Sequence, residues 1–293
     1  MNSHGELVRV RAEDGLELAG FYAAPPGGAR RAVLHTHGFA GNFYENRFVD
    51  AVCDAVVAKG LGFLTYNNRG HDYVSDNLRG SGLDTTYEAG GIPWDMFEAS
   101  VHDIGGAAEF LASRGHREIY FEGHSLGTCK TVYYLNERRD PRAAGAILIS
   151  PPDMFGLSSE RAGRPLDEML AEANAAIAEG DPDRRIEAGR TVPVSARSIL
   201  SSYADPATTD IFPFRLGSEG DYTRYSSLAM PILAIFGTVD EAVTVPVEDA
   251  AELARTMAAG SPRVDVATIE GANHVYWGKE DTLAGLIGGF IEP

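Results

Sequence analysis

The sequence predicts an α/β fold: a mostly parallel, doubly wound sheet with helices on both faces and one helical insertion. Three observations carry this. Strand-like and helix-like segments alternate along most of the chain. The strand-like runs, such as "RAVLHT" and "GAILIS", are apolar on both faces, as in a sheet covered on both sides. The alternation stops after Ser150, and no strand pattern returns until "PILAIFG" at Pro231. At 293 residues, 44% hydrophobic and 23% charged, the chain suits one large domain carrying an inserted piece.

The elements follow in order. "ELVRVRA" and "LELAGFYA" have a period near two and are broken by "EDG", which predicts an antiparallel hairpin. "RAVLHTHG" reads as a buried strand, residues 44–59 as a helix stopped by Gly60, and "GFLTYNNRG" as a second buried strand. Residues 95–113 read as a helix, "EIYFEG" as a third strand, residues 126–136 as the next helix and "GAILIS" as a fourth strand. "PILAIFG" and "RVDVATIEG" flank a helix at 247–258, and a last helix starts near Asp281. Right-handed crossovers then wind the sheet doubly. In the insertion, Leu166, Met169, Leu170, Ala173 and Ile177 sit at helical spacing with Gly180 as the stop. "VSARSILSSYA" is a second helix capped by Ser195. The domain reading is a core of residues 1–150 and 231–293 and a helical cap of 151–230 over the carboxyl ends of the strands, where sites in such sheets lie. The segment 72–94 is long for a βα connection. It is either a mobile wall of the pocket, with Tyr73, Tyr87 and Trp94 as aromatic lining, or an ordered surface loop.

Charge narrows the function. Asp and Glu number 42 against 25 Lys and Arg. Such a surface repels polyanions, so nucleic acid and anionic membrane are not expected partners. No run of about 18 apolar residues is present and the N-terminus lacks a basic start with an apolar stretch, so the chain reads as a cytoplasmic protein. Cys53 and Cys129 fit neither a disulfide framework nor metal-ligand spacing. No metal or organic cofactor is expected, and a homodimer is compatible with the sequence.

"FEGHSLGTCK" holds the chemistry. Gly123-His124-Ser125-Leu126-Gly127 fits G-x-S-x-G, directly after a strand and opening a helix, the setting that motif requires. A nucleophile on so sharp a turn takes a strained backbone, and small residues two before and two after let strand and helix approach closely. The helix N-terminus favours negative charge developing on a substrate oxygen. Leu126 supplies one oxyanion N–H, and Phe39, after His37-Gly38, supplies the second. His274 in "EGANHVYWG" is the one histidine after Ser125 and is the expected base. Asp240, after "PILAIFG", is the expected acid, with Glu241 as the alternative. His37, Gly38, His124, Met154, Phe155 and Tyr203 are the expected substrate contacts, and Ile211 and Phe212 are expected to face the substrate. His71 either reaches the pocket or is a bonded loop residue. Arg69 is expected to brace the oxyanion loop.

With His37-Gly38-Phe39, "NNRGH", the turn at Ser125, "GTVDEAV" and "GANH", the chain resembles the α/β-hydrolase superfamily over nearly its full length. That resemblance implies an eight-stranded, mostly parallel sheet with a cap inserted after the sixth strand. "HGFAGNFYENRF", "YNNRGHDYVSD" and "GGIPWDMFEASVHDI" are similar to a narrower group, the fungal siderophore esterases and their bacterial relatives, which implies cleavage of an ester in a bulky natural product. The first functional reading is a serine hydrolase of a carboxylic ester or thioester of a small molecule, acting through an acyl-enzyme. Acyl transfer or cyclisation from the same intermediate, and a lyase or binding role on the same fold, stay open beside it.

Overall fold

The computed structural model describes residues 4–188 and 193–292. Gly5–Arg11 (β1) and Leu16–Ala23 (β2) form the antiparallel hairpin, and β2 runs antiparallel to Gly62–Tyr66 (β4). Arg31–Thr36 (β3), Glu118–His124 (β7), Ala143–Ile149 (β8), Ile232–Gly237 (β11) and Val264–Ile269 (β12) join β4 in a parallel block. Ser75–Arg79 (β5) and Thr86–Gly90 (β6) lie beyond β2, giving the order β12-β11-β8-β7-β3-β4-β2-β5-β6 in a ten-stranded sheet that also holds β1. Eight of these strands are those the resemblance implies. The other two are a hairpin built within the segment 72–94, which is therefore not a plain loop. Its strands are short and polar, and sequence alternation was masked by their glycines and charges.

Residue alternation along the strands sorts the core into two layers. Val33, Phe63, Ile147, Ile149, Leu233 and Ile235 point to one face and pack on Arg47–Ala58 (α1) and Glu280–Phe290 (α10). Leu34, Leu64, Phe121, Leu148, Ala234 and Phe236 point to the other and pack with Ser100–Ser113 (α2), Leu126–Arg138 (α3) and Val247–Thr256 (α9). At about 25 cal/mol per Å² of apolar surface removed from water, these two layers supply the main favourable term for folding. α1 shows why such segments become helices: Phe48, Val49, Val52, Cys53 and Val56 recur at three and four residues and all are buried.

α2 starts five residues later than its sequence pattern suggests. Asp95 is held extended, with its carboxylate on Lys130 Nζ at 2.7 Å and its carbonyl accepting the Ser198 hydroxyl, and one short 3₁₀ turn, Phe97–Ala99, fills the gap.

Between β8 and β11 lie Met154–Ala162 (α4), Leu166–Ala178 (α5), Arg185–Ile186 (β9), Val194–Ser195 (β10), Ala196–Tyr203 (α6), Pro206–Thr209 (α7) and Thr223–Ser226 (α8). Ser195 caps α6 by accepting from Ser198 N at 3.3 Å, as expected. The segment divides in two. Met169, Ala173, Ala176, Ile186, Val194 and Ile199 make a small separate core that leans on Phe39, Ala40 and Ile92. Ile211, Phe212, Phe214, Tyr222, Tyr225 and Leu228 instead belong to the main core. Ile211 and Phe212 thus do not face a substrate: Phe212 packs edge-on to Tyr225 and alongside Phe214. Ile177 also departs from the expected stripe, being exposed while Ala176 is buried.

The loop after β4 is fixed by a buried ion cluster. Arg69 Nη2 and Nε donate to Asp103 at 2.7 and 3.1 Å, and Nη1 donates to Asp14 at 3.0 Å. Asp103 is fully buried and the Arg69 side chain is 10% exposed. Burial opposes the guanidinium charge, but the two carboxylates outweigh it and hold Arg69 protonated more firmly than usual. Arg69 therefore clamps α2 and the β1–β2 turn, and the expected brace of the loop after β3 comes from its neighbour Asn68. Arg69→Met would leave the Asp103 carboxylate buried and unpaired, and we expect a loss of about 3–5 kcal/mol. Urea unfolding measures it, and a loss under ~1 kcal/mol would show the cluster to be dispensable.

Candidate active site

Ser125 occupies the turn between β7 and α3 with φ 54 and ψ −129, a strained region for a side chain other than glycine. Its N–H donates to Ile149 O at 2.9 Å, and its carbonyl accepts from Thr128 N at 2.8 Å and Thr128 Oγ1 at 2.7 Å. The two flanking glycines are needed for space. A Cβ on Gly127 would collide with the Thr36 carbonyl, and one on Gly123 with the Gly127 carbonyl. Leu126 is the first residue of α3, so its N–H has no partner within the helix and points at the turn.

Phe39 sits in a turn closed by Gly41 N to Gly38 O at 3.3 Å, with Ala40 at φ 53. Gly38 passes so close to Ser125 that a Cβ there would lie 2.7 Å from the serine Cβ. Behind the turn, Asn68 N donates to His37 Nε2 at 3.0 Å, which leaves His37 Nδ1–H to donate to the Gly38 carbonyl at 2.9 Å. Burial holds His37 well below its usual value, hence neutral. His37 lines no cavity described around Ser125. It braces the turn from behind, a correction to its expected place in the substrate wall.

His274 follows β12 and its Nδ1 lies 2.8 Å from Asp240 Oδ1. The carboxylate only accepts, so Nδ1 carries the proton and Nε2 is left able to take one. Asp240 is buried, which raises its pKa. The His274 ring, the Ser150 hydroxyl and the Ala242 N–H at 2.8 Å outweigh that and bring it below the usual carboxylate value. Glu241 bonds elsewhere: its carboxylate accepts from the backbone N–H of His274 at 3.3 Å. Of the two acids weighed from sequence, Asp240 is the one on the ring. Tyr276, unremarked in the sequence, is buried beneath this loop and bonds Ser150 Oγ at 2.9 Å. Its place two residues after His274 is the one signal that pointed to it.

His124 links the two halves. Its Nε2 lies 2.8 Å from the His274 carbonyl and its ring packs 4.8 Å from the His274 ring and 4.9 Å from Phe48. A carbonyl only accepts, so Nε2–H donates. Burial first, and then repulsion from His274, lower its pKa to about 3.

Three cavities meet at Phe39. An open trough of about 170 Å³ is lined by Gly38, His124, Ser125, His274, Glu45 and Tyr73 among others. A narrow chamber of about 30 Å³ is lined by Leu126, Met154, Ile199, Tyr203, Ser202 and Asp95 among others. A second of about 30 Å³ has Ser125, Leu126, Met154, Leu157, Ala242 and His274 among its walls. Gly38 and His124 thus line the trough, Met154 both chambers and Tyr203 the first chamber. Phe155, expected as a substrate contact, instead stands behind Tyr203, ring centroids 5.3 Å apart. Tyr73 reaches the trough, Tyr87 is exposed on the β5–β6 hairpin, and Trp94 lies under the Arg185 guanidinium at 4.0 Å. His71 takes its bonded reading, Nδ1 on Asp72 at 2.9 Å. Glu45 also lines the trough, and no sequence pattern marks it. Ser198 and Ser202, four apart on α6, were legible as one helix face but not as cavity wall. Among the described residues no three His, Cys, Asp or Glu side chains are placed to hold a metal ion. Among them, no helix is long and apolar enough to cross a membrane.

Residues 27–194 match the model of the family described as serine aminopeptidase, S33. The chain belongs to this family. It is thereby a serine hydrolase of the α/β-hydrolase superfamily, as the sequence motifs implied. Among solved structures, the S33-family chain is similar to Est1E from Butyrivibrio proteoclasticus with ferulic acid bound, at 16% identity, 97% of each chain covered and a TM-score of 0.66. It is similar to the Pyrococcus furiosus esterase Pf2001 at 16% identity, covering 99% of this chain and 90% of that one, with a TM-score of 0.62. It is similar also to the esterase EaEST from Exiguobacterium antarcticum at 15% identity, covering 98% and 99%, with a TM-score of 0.60. Identities this low establish the shared fold. No curated protein matches the sequence.

The depressed histidines set an acid limit on stability. The unfolded chain takes up protons near the usual 6.5, whereas folded His124 does so only at about 3. Between those values acid favours unfolding, at about 1.4 kcal/mol per pH unit for each such histidine. Asp240, depressed from 3.8, adds its own loss only below about pH 3.8, at the acid end of that window. We expect the urea midpoint to fall from pH 6.5 to 4.5, and His124→Asn to flatten that slope by about one histidine's share. An unchanged slope would remove His124 from the account.

Proposed function

We propose that the protein hydrolyses a carboxylic ester of a small molecule, with Ser125 as nucleophile, His274 as base and then acid, Asp240 as its orienting partner, and the N–H groups of Phe39 and Leu126 as the oxyanion site. The carrying observation is the convergence of a serine at φ 54 with a histidine whose Nδ1 is bound to a buried carboxylate at 2.8 Å, both on the wall of one trough. His274 takes the Ser125 proton as Oγ attacks the carbonyl carbon. The oxyanion forms against the two N–H groups, and the proton passes to the departing alcohol. Water then enters by the same route and releases the acid. The trough is open to solvent along Glu45 and Tyr73, which favours water over another acceptor and so hydrolysis over acyl transfer.

The helices α4 to α6, with their own small core over Phe39 and Ala40, act in this reading as the cap. Their closeness to the oxyanion turn favours substrate selection by this part and not by residues 205–230.

Chemistry of the walls favours an ester over the alternatives. An aminopeptidase must hold an ammonium beside the acyl carbon. Asp95, on the wall of the larger-lined chamber, is instead paired with Lys130, whose side chain is 1% exposed. A thioester on a phosphate-bearing carrier meets Glu45 and a net charge of −17. We expect 4-nitrophenyl acetate to be hydrolysed, with kcat reduced about 10⁴-fold or more in Ser125→Ala and in His274→Ala. A fluorophosphonate probe followed by intact mass should label the wild type and not Ser125→Ala. Turnover of an amino-acid 4-nitroanilide exceeding that of esters would replace this reading with a peptidase.

A further inference from the structure

The space on the two sides of Ser125 is unequal, and the difference assigns the two halves of the ester. The departing alcohol must sit where His274 can hand it a proton and where it can leave. Ser125 and His274 line both the trough of about 170 Å³ and the second chamber of about 30 Å³, and of the two only the trough has the volume for a bulky departing alcohol. On the Leu126 side, among the described residues, lie two narrow chambers of about 30 Å³ each. Phe39 and Leu126, the residues of the oxyanion N–H groups, line both of these. A chamber of that size takes about one water or one methyl group. Met154 lines both chambers, so its side chain is part of the partition between them.

The far end of the first chamber adds a second restriction. Ser198, Ser202 and Asp95 stand there, with Asp95 bonded to buried Lys130 at 2.7 Å. An alkyl chain long enough to reach them would strip water from polar groups and return no hydrogen bond.

We propose that the protein is selective for esters of very short acyl groups, acetyl above all, and that the recognised bulk of the substrate lies in its alcohol. The alcohol occupies the trough between the Gly38–Gly41 turn, Glu45 and Tyr73. Met154 sets the acyl length limit. This rests on the esterase reading above.

The test is a profile of kcat/KM at constant alcohol, 4-nitrophenyl acetate, butyrate and hexanoate, and a second at constant acyl group, ethyl against 2-phenylethyl acetate. The wild type should lose about a hundredfold from acetate to hexanoate. It should gain about tenfold from ethyl to phenylethyl acetate. Met154→Ala should join the chambers and raise the hexanoate-to-acetate ratio about tenfold or more, while Tyr73→Ala should change the alcohol preference and leave that ratio alone. If Met154→Ala does not fold, the wild type decides: 4-nitrophenyl phosphonates carrying methyl or hexyl on phosphorus place that group on the acyl side, and the methyl compound should inactivate about a hundredfold faster. Labelling and turnover with hexanoate equal to or better than acetate would overturn the assignment and leave the esterase reading standing. Neither labelling nor turnover of any ester would overturn both.

Discussion

One close approach governs the site. The first turn of α3 lies against the end of β3 so tightly that position 127 has no room for a Cβ, and position 123 has none on the other side of the turn. Only with that approach does Ser125 stand at positive φ with its side chain above the sheet edge. A backbone of that kind costs of the order of 1–3 kcal/mol. It is held by bonds the rest of the fold makes possible: Ser125 N to Ile149 O of β8, and Thr128 back to the Ser125 carbonyl. The parallel pairing of β3, β7 and β8 thus determines the geometry of Ser125. The two apolar layers, which stabilise that pairing, determine it at one remove.

Around this turn the protein sorts its histidines by environment. His37 and His124 are buried and kept neutral, and each uses its remaining N–H on a backbone carbonyl, Gly38 and His274 respectively. They position the loops that carry Phe39 and His274. His274 alone faces both a buried carboxylate and the open trough. The same side chain therefore braces a loop twice and pairs with a buried carboxylate once. The distinction lies in which nitrogen is engaged and in what surrounds the ring, not in the residue type.

That explains what the sequence made legible. Chain order and spacing suffice for local geometry: the turn at Ser125, the loop at Phe39 and the positions of Asp240 and His274 after their strands all follow from strand, turn and helix signals. Asp240 and Glu241 are adjacent, and only the three-dimensional loop shows one reaching the ring and the other the backbone. His37 and Arg69 were expected to meet the substrate and the oxyanion turn. Their actual partners, Asn68 and Asp103, are set by which loops lie over one another, a relation with no fixed sequence distance. The β5–β6 hairpin was missed for a different reason. It is an edge addition with polar faces, so it lacks the apolar alternation by which strands are recognised.

The insertion after β8 was read as one unit and behaves as two, and the reason is where each part buries its apolar side chains. Residues from Ile211 to Leu228 complete the main core, with Tyr225 donating to the Ala254 carbonyl of α9 at 2.7 Å. Changing them disturbs the sheet. The helices α5 and α6 bury theirs chiefly among themselves and touch the core through Phe39, Ala40 and Ile92. A change on their inner face reshapes the chambers beside Ser125 without altering the strands that hold it. The bonds that hold Ser125 and His274 run through the sheet, while α5 and α6 stand beside it. The two parts meet at the Ser198 hydroxyl, which donates to the Asp95 carbonyl, and at Phe39, which belongs to the turn beside Ser125 and to the wall of all three cavities.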